Sequence, residues 1–290
     1  MKIFGAANAK INLFLDVTGK QSDGFHDICS IMHSVGLRDS ISVEVLPASE
    51  SKISIYVKGK YYLPCNNKNI AYRGAQIFMD ALCEPLHVRI GINKAIPVAA
   101  GLAGGSSDAA AVLKTLNRIK GHPFSRDKLC ELGAQLGSDV PSCILGGTQL
   151  CCGRGEKMTH IPFKKRLNVV VAIGDEHVST ATAYAKLDEM YNDFKDERES
   201  ALPRLDRITN GLIEGDIRMI ADNMYNIFEQ AILPMCPQAR EIKNKMLEAG
   251  ALGAMMSGSG PAVFGIFESK ESAERAVKTL GENAYAVTTV

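Results

Sequence analysis

Hydrophobic and polar residues alternate cleanly near the N-terminus. Ala9, Ile11, Leu13, Leu15 and Val17 fall on one side and Lys10, Asn12, Phe14 and Asp16 on the other. A period of two marks a half-buried strand and puts Lys10 and Asn12 on one face. Past the turn-rich stretch QSDGFHD, the pattern predicts strands over residues 41–46 and 52–58, parted by a Pro-Ala-Ser-Glu-Ser loop. Helical spacing follows over residues 69–82, through Ile70, Ala71, Ala75, Phe78, Met79 and Leu82, and alternation returns over residues 86–92. A Pro/Gly/Ser-rich loop, residues 97–107, leads into a helix carrying Ala110, Ala111, Leu113, Leu116 and Asn117. The next helix starts at the cap candidate Ser125, runs through Leu129, Leu132 and Leu136, and stops at Gly137. Then come Ser-Asp-Val-Pro, a short apolar piece and a hairpin around residues 146–156.

The second half opens with a buried strand over residues 167–173 and continues with three or four helices between Thr180 and Ala249. It closes with a strand pair within residues 255–269, a helix over 270–280 and a strand over 285–290. Strands first, helices in blocks and a βαβ-like close describe an α+β protein better than a doubly wound sheet. A chain of 290 residues fits two domains. The seam is expected near residues 155–165, giving domains 1–158 and 159–290. The charged run DFKDERES, residues 193–200, reads as a solvated connector.

Composition narrows the partners. With 33 Lys and Arg against 32 Asp and Glu, the net charge of +1 argues against nucleic acid. Apolar runs such as residues 169–173 fall far short of the ~18 residues a membrane span needs. Asn8, Lys10 and Asn12 interrupt the N-terminal apolar stretch before it resembles a signal peptide. The expectation is a soluble, cytoplasmic protein. Eight cysteines show no C-x-x-C pair and no zinc-like spacing with the six histidines, so buried free thiols are expected.

Candidate chemistry concentrates in a few motifs. In PVAAGLAGGSSDAAAVL, residues 97–113, Gly101, Gly104 and Gly105 allow close backbone approach, and Ser106 and Ser107 stand at a helix start. That is an anion cradle suited to a triphosphate, or else a glycine-rich helix start with a Ser cap. Neither G-x-x-x-x-G-K-[ST] nor G-x-G-x-x-G is present, which disfavours a P-loop enzyme and a dinucleotide-binding oxidoreductase. Lys10, with Asn12 two residues on, suits neutralisation of phosphate or a developing alkoxide; a solvated strand face is the plainer alternative. Phe25 beside His26 offers a stacking ring and a group that reads a base edge, or an ordinary turn. Asp139, before Val-Pro, fits both a helix cap and an acceptor of a hydroxyl proton. MMSGSGPAVFG, residues 255–265, reads alone as a tight hairpin.

Taken in order, the Lys-bearing first strand, P-x-x-x-G-L-x-G-G-S-S, the Ser-Asp-x-Pro turn and the late S-G-S-G-P resemble the galactokinase, homoserine kinase, mevalonate kinase and phosphomevalonate kinase superfamily over nearly the whole chain. The resemblance implies a two-domain small-molecule kinase fold, with an N-terminal domain like ribosomal-protein S5 domain 2 and a C-terminal α+β domain. It also implies ATP with Mg²⁺. AKINLFLDVTGKQSDGFHDI and LGSDVPSCILGGTQLCCGRGE, with their D-G-[YF]-H element, imply a methylerythritol acceptor bearing cytidine diphosphate. Phosphorylation would fall on its tertiary hydroxyl at carbon 2, in non-mevalonate isoprenoid synthesis. By motif position Asp139 is the base and Lys10 its partner. Pro97, Gly101, Leu102, Ala103, Gly104, Gly105, Ser106 and Ser107 cradle the phosphates, and Asn12, Phe25, His26, Thr180 and Tyr184 hold the acceptor. The Mg²⁺ ligands stay unassigned, with Ser107 and Asp139 as candidates only. Phe25 stands where tyrosine is usual. Ala103 replaces a glycine, at a cost of ~1 kcal/mol if the position needs positive φ. The rival readings are a homoserine- or mevalonate-type kinase of the same superfamily, and a catalytically silent nucleotide-binding regulator.

Overall fold

A computed structural model describes residues 1–191 and 194–290. The first stretch of chain forms β1 (Lys2–Lys20), β2 (His26–Pro47), β3 (Lys52–Gly59), α1 (Ile70–Leu82), β4 (Leu86–Lys94), α2 (Gly104–Ile119), α3 (Arg126–Ala134), α4 (Asp139–Leu145), β5 (Thr148–Gly153) and β6 (Lys157–His160). The remainder forms β7 (Asn168–Ala172), α5 (Thr180–Met190), α6 (Lys195–Glu214), α7 (Ile217–Asn223), β8 (Tyr225–Asn226), α8 (Phe228–Ile232), α9 (Pro237–Glu248), β9 (Gly253–Met256), β10 (Val263–Phe267), α10 (Lys270–Leu280) and β11 (Ala284–Thr288). Packing divides these into two compact units. One holds residues 1–9, 37–98 and 103–146, the other residues 10–36, 99–102 and 147–290. The long strands β1 and β2 contribute residues to both.

In the first unit the strand order is β3-β4-β2-β1. β2 and β4 run antiparallel with Ile41 opposite Ile92, and β3 joins β4 in parallel with Ile55 opposite Ile90. Alternation buries Ile41, Val43, Val88, Ile90 and Ile92 against Ala71 and Phe78 of α1 and Leu113 and Leu116 of α2. The helix starts follow local chemistry: Asn69 accepts the Ala71 amide at 3.0 Å, and Ser125 accepts that of Lys128 at 3.2 Å.

The second unit is built on an antiparallel sheet of order β11-β7-β10-β9, with Val171 between Phe264 and Tyr285. Every residue of β10 is buried, as expected of a strand covered on both faces. β5 adds to the first part of β2, with Cys29 opposite Cys152, and β8 joins β1 in parallel at Phe14 and Leu15. At α10 the Ser269 and Ser272 side chains form a reciprocal capping box.

Several expectations need correction. From Ala9 to Val17, β1 is buried throughout rather than half-buried. β2 is one strand of 22 residues where the pattern predicted only residues 41–46; its first half carries Ser30 and His33 inward, which hides the period. Five helices, not three or four, lie between Thr180 and Ala249 among the described residues. The charged connector is largely the first turns of α6, whose polar residues sit on a helix; Asp193 lies outside the described residues. All eight cysteines are free, but only Cys151 and Cys236 are buried, and Cys65 and Cys83 are exposed. No described helix is long and apolar enough to cross a membrane.

Candidate active site

In the first unit, α2 begins at Gly104, so Gly104 to Ser107 form its first turn rather than a loop. Its cap, Ala103, is left-handed at φ 53° and ψ 31° and makes no side-chain cap bond. This is the position where alanine replaces glycine, so the anticipated backbone cost of ~1 kcal/mol applies. The first helical bond runs from the Ser107 amide to the Ala103 carbonyl at 2.9 Å. The amides of Gly104, Gly105 and Ser106 precede it, at the positive end of a 16-residue helix. The Ser-cap alternative falls, because the Ser107 hydroxyl donates instead to the Asn8 carbonyl at 2.6 Å. Gly104 is closely packed: a Cβ there would stand 3.0 Å from both Lys94 Nζ and Ile96 Cγ2, so those side chains would have to give way by a few tenths of an ångström. Pro97 is buried just ahead of the segment. Asp139, half-buried, is the first residue of α4, and the cap position belongs to Ser138, so the helix-cap alternative shifts by one residue.

In the second unit the solvated-face alternative for Lys10 and Asn12 is overturned. Lys10 is 7% exposed and Asn12 only 1%. Lys10 Nζ donates to Asn12 Oδ1 at 2.7 Å, Asn12 Nδ2 donates to Ser30 Oγ at 2.8 Å, and Ser30 Oγ donates to the Phe14 carbonyl at 2.7 Å. This relay fixes which end of the Asn12 amide faces the ammonium. The Lys10 amide also donates to the Leu102 carbonyl at 3.1 Å, so the glycine-rich segment is tied to β1. Gly101 has φ +76°, and a Cβ there would fall 2.0 Å from the Ser257 carbonyl oxygen, a position open only to glycine. Ser257 Oγ donates to the Gly101 carbonyl at 3.0 Å. Residues 255–265 therefore form the expected hairpin, and its turn seats Gly101. Asn226, which no sequence pattern singled out, steadies that turn by donating to the Met256 and Gly258 carbonyls at 2.8 Å each.

Phe25 and His26 follow a tight turn closed by the Gln21 amide on the Phe25 carbonyl at 2.7 Å. Phe25 is 60% exposed, and the Arg154 guanidinium lies 4.4 Å over its ring while donating to Gln21 and Asp23. His26 is buried, with Nε2 2.7 Å from Asp188 Oδ1, and Tyr184 stacks on its ring at 4.7 Å. Burial works to raise the Asp188 carboxyl, but bonds from Lys20 and His26 outweigh it and hold it below the usual carboxylate range. Thr180 opens α5, exposed, with Oγ1 3.1 Å from Ser259 Oγ. His26, Tyr184, Phe25 and Thr180 thus lie in one unit, with Arg154 and Asp188 as neighbours that the sequence did not flag.

The family described as GHMP kinases N terminal domain matches residues 69–147, and GHMP kinases C terminal matches residues 199–286. Fold and motifs together define the class, an ATP-dependent small-molecule kinase. Two proteins named 4-diphosphocytidyl-2-C-methyl-D-erythritol kinase, from Caldicellulosiruptor saccharolyticus and Alkaliphilus metalliredigens, are 41% and 43% identical over 274 residues, 94% of this chain and 91% of each relative. One of the same name from Bacillus cereus is 39% identical over 99% of this chain and 96% of its own length. A crystal structure of 4-(cytidine 5'-diphospho)-2C-methyl-D-erythritol kinase superposes with a TM-score of 0.80 at 30% identity, covering 99% of both chains. Homoserine kinase from Cytophaga hutchinsonii, at TM-score 0.78 and 19% identity over 100% of this chain and 94% of its own, shares the fold. The chain belongs to the 4-diphosphocytidyl-2-C-methyl-D-erythritol kinase family of the GHMP kinases.

Proposed function

We propose that this protein transfers the γ-phosphoryl group of ATP to the carbon-2 hydroxyl of 4-diphosphocytidyl-2-C-methyl-D-erythritol, a step of non-mevalonate isoprenoid synthesis in the cytoplasm. The observation that carries this reading is the 39–43% identity, along nearly the whole chain, to proteins of that one name. Phosphoryl transfer asks for little covalent chemistry from the protein and much positioning. The α2 amides of Gly104, Gly105 and Ser106, reached through Pro97, Gly101, Leu102 and Ala103 and backed by Ser107, receive the phosphates. Lys10, held buried by Asn12, neutralises charge at the reacting oxygens, and Asp139 accepts the hydroxyl proton. Phe25, His26, Thr180 and Tyr184 hold the cytidine end, with the aromatic faces supplying tolerance and the polar groups discrimination.

Among the described residues no three His, Cys, Asp or Glu side chains gather into a metal cage. A Mg²⁺ ion carried on the nucleotide's phosphates needs only one or two protein oxygen ligands rather than such a cage. We set the functional boundary at 158/159, with residues 1–158 serving nucleotide and catalysis and residues 159–290 bringing Thr180 and Tyr184 to the acceptor, which Asn12, Phe25 and His26 of the first part also hold. The two family matches, residues 69–147 and 199–286, fall on either side of it.

The test is Asp139→Asn. Loss of the base should lower kcat by ~10²-fold or more while ATP affinity and folding stay near wild type. Turnover close to wild type removes Asp139 from the mechanism.

A further inference from the structure

Lys94, Asp39 and Asp108 hold none of the roles above, yet all three are buried and joined. Lys94, the last residue of β4, donates from Nζ to Asp39 Oδ2 at 2.5 Å and to Asp108 Oδ2 at 2.8 Å. Asp39 turns its other oxygen to the amides of Ala95 and Ile96, at 2.5 and 2.8 Å, where the chain leaves β4 for Pro97. Asp108 stands four residues past Gly104 in α2. One cluster of charge therefore joins the strand that leads into the glycine-rich segment to the helix that leads out of it. The same ammonium lies under the helix N-terminus, 3.0 Å from where a Gly104 Cβ would be.

The charge count is informative. With both carboxylates ionised, the cluster carries one excess negative charge beneath the amides proposed to receive a triphosphate, and a buried unpaired charge is costly. Asp108 Oδ1 is buried without a hydrogen-bond partner. Burial raises the Asp108 carboxyl, Lys94 opposes, Asp39 reinforces, and the result is pushed up to about 8. Lys94 from β4 and Asp39 from β2 are the charged groups bearing on it. The buried residues that α1, α3 and α4 bring to the same core, Ala71, Ala75, Phe78, Leu129, Val140 and Ile144, are uncharged.

We propose that Lys94, Asp39 and Asp108 are positioning residues for the nucleotide, and that Asp108 takes a proton from solvent as the triphosphate binds, so that ligand and proton enter together. The inference rests on reading residues 97–107 as the phosphate cradle. Protonation leaves the cluster neutral under the helix end, whereas ionisation sets a negative charge against the phosphates.

ATP binding to the full chain, measured by titration calorimetry between pH 7 and 9, tests it. If only the protonated form binds, the apparent Kd rises ~10-fold across that window. Near pH 8, buffers of different ionisation enthalpy should report uptake of about half a proton per ATP. Asp108→Asn imitates the protonated carboxyl, so it should keep the pH 7 Kd and lose both the slope and the proton uptake. An equal slope in wild type and Asp108→Asn overturns the proposal, as does the absence of proton uptake by the wild type, a measurement that needs no variant. Gly105→Val separates the two layers, because a side chain there meets Ile70 Cγ2 at 3.3 Å rather than Lys94. If the folded variant binds ATP normally, the cradle reading fails and this proposal with it. If it loses ATP while wild type and Asp108→Asn share one slope, this proposal alone fails.

Discussion

Substituting alanine at Gly101 probes the seat of the glycine-rich segment with a magnitude set by the backbone around it. Two penalties act together. At φ +76° any Cβ carries the left-handed cost of about 1–2 kcal/mol, partly offset by about 0.4–1 kcal/mol because alanine restricts the unfolded chain. The new methyl would also fall 2.0 Å from the Ser257 carbonyl oxygen, which belongs to backbone and cannot swing aside. Forcing atoms into filled space costs about 1–3 kcal/mol, and displacing the turn threatens the Ser257 bond to the Gly101 carbonyl, worth a further ~1 kcal/mol. The sum is a loss of about 2–6 kcal/mol. Gly250 is the control. Its φ is +91° but nothing lies within 4 Å of the place a Cβ would take, so Gly250→Ala should cost only the backbone term, about 1.5 kcal/mol or less. Thermal unfolding followed by calorimetry should place the Gly101→Ala Tm below that of Gly250→Ala by roughly 4 °C or more, at about 2–4 °C per kcal/mol for a chain of this size. Equal Tm values for the two variants would mean that the Ser257 turn does not hold Gly101, and the argument for a preformed segment would fail.

Two further outcomes follow from the second unit. His26→Ala removes the Asp188 partner and the surface on which Tyr184 stacks, so kcat/KM for the cytidine-bearing acceptor should fall ~10-fold or more with ATP affinity spared; an unchanged kcat/KM places His26 outside the acceptor site. Burial pushes His33 down to about 4, so the unfolded chain takes a proton near pH 6.5 that the folded chain refuses. The stabilisation is complete above about pH 6.5 and drains away as pH falls toward 4, approaching ~1.4 kcal/mol per pH unit; His33→Gln should flatten the Tm slope between pH 7 and 5, and an unaltered slope would show that another group sets it.

Residues whose burial follows from local periodicity were legible in the sequence. The strands at residues 52–58 and 86–92, the helix at 69–82 and the Ser125 cap fall where spacing and capping chemistry put them. Polar residues that become buried through distant partners were not. Asp39 meets Lys94 55 residues away, and Arg154 meets Asp23 131 residues away, so no local window contains either pair. Lys94 ends an alternating strand, where a lysine ordinarily reaches solvent, and its burial appears only once Asp108 is brought beneath it. For the candidate site the motifs located Lys10, Asn12, Gly101 and Ala103, but the reason for each came from its neighbours. Asn12 matters as the acceptor that orients Lys10, and Gly101 is confined by a turn from the far end of the chain. Asp188, bonded to His26, carries no motif at all; as one acidic residue on an amphipathic helix it looks like any solvated side chain.

The central claim is the choice of acceptor, and ADP release from Mg-ATP measures it. The enzyme should be assayed with 4-diphosphocytidyl-2-C-methyl-D-erythritol, free methylerythritol, homoserine and mevalonate at matched concentrations. Turnover is expected with the cytidine-bearing acceptor and, with the other three, a kcat/KM lower by ~10²-fold or more, because those molecules lack the base that Phe25, His26 and Tyr184 are proposed to stack against and read. Comparable ADP release with free methylerythritol would contradict the cytidine site, and comparable release with homoserine or mevalonate would contradict the proposed function itself.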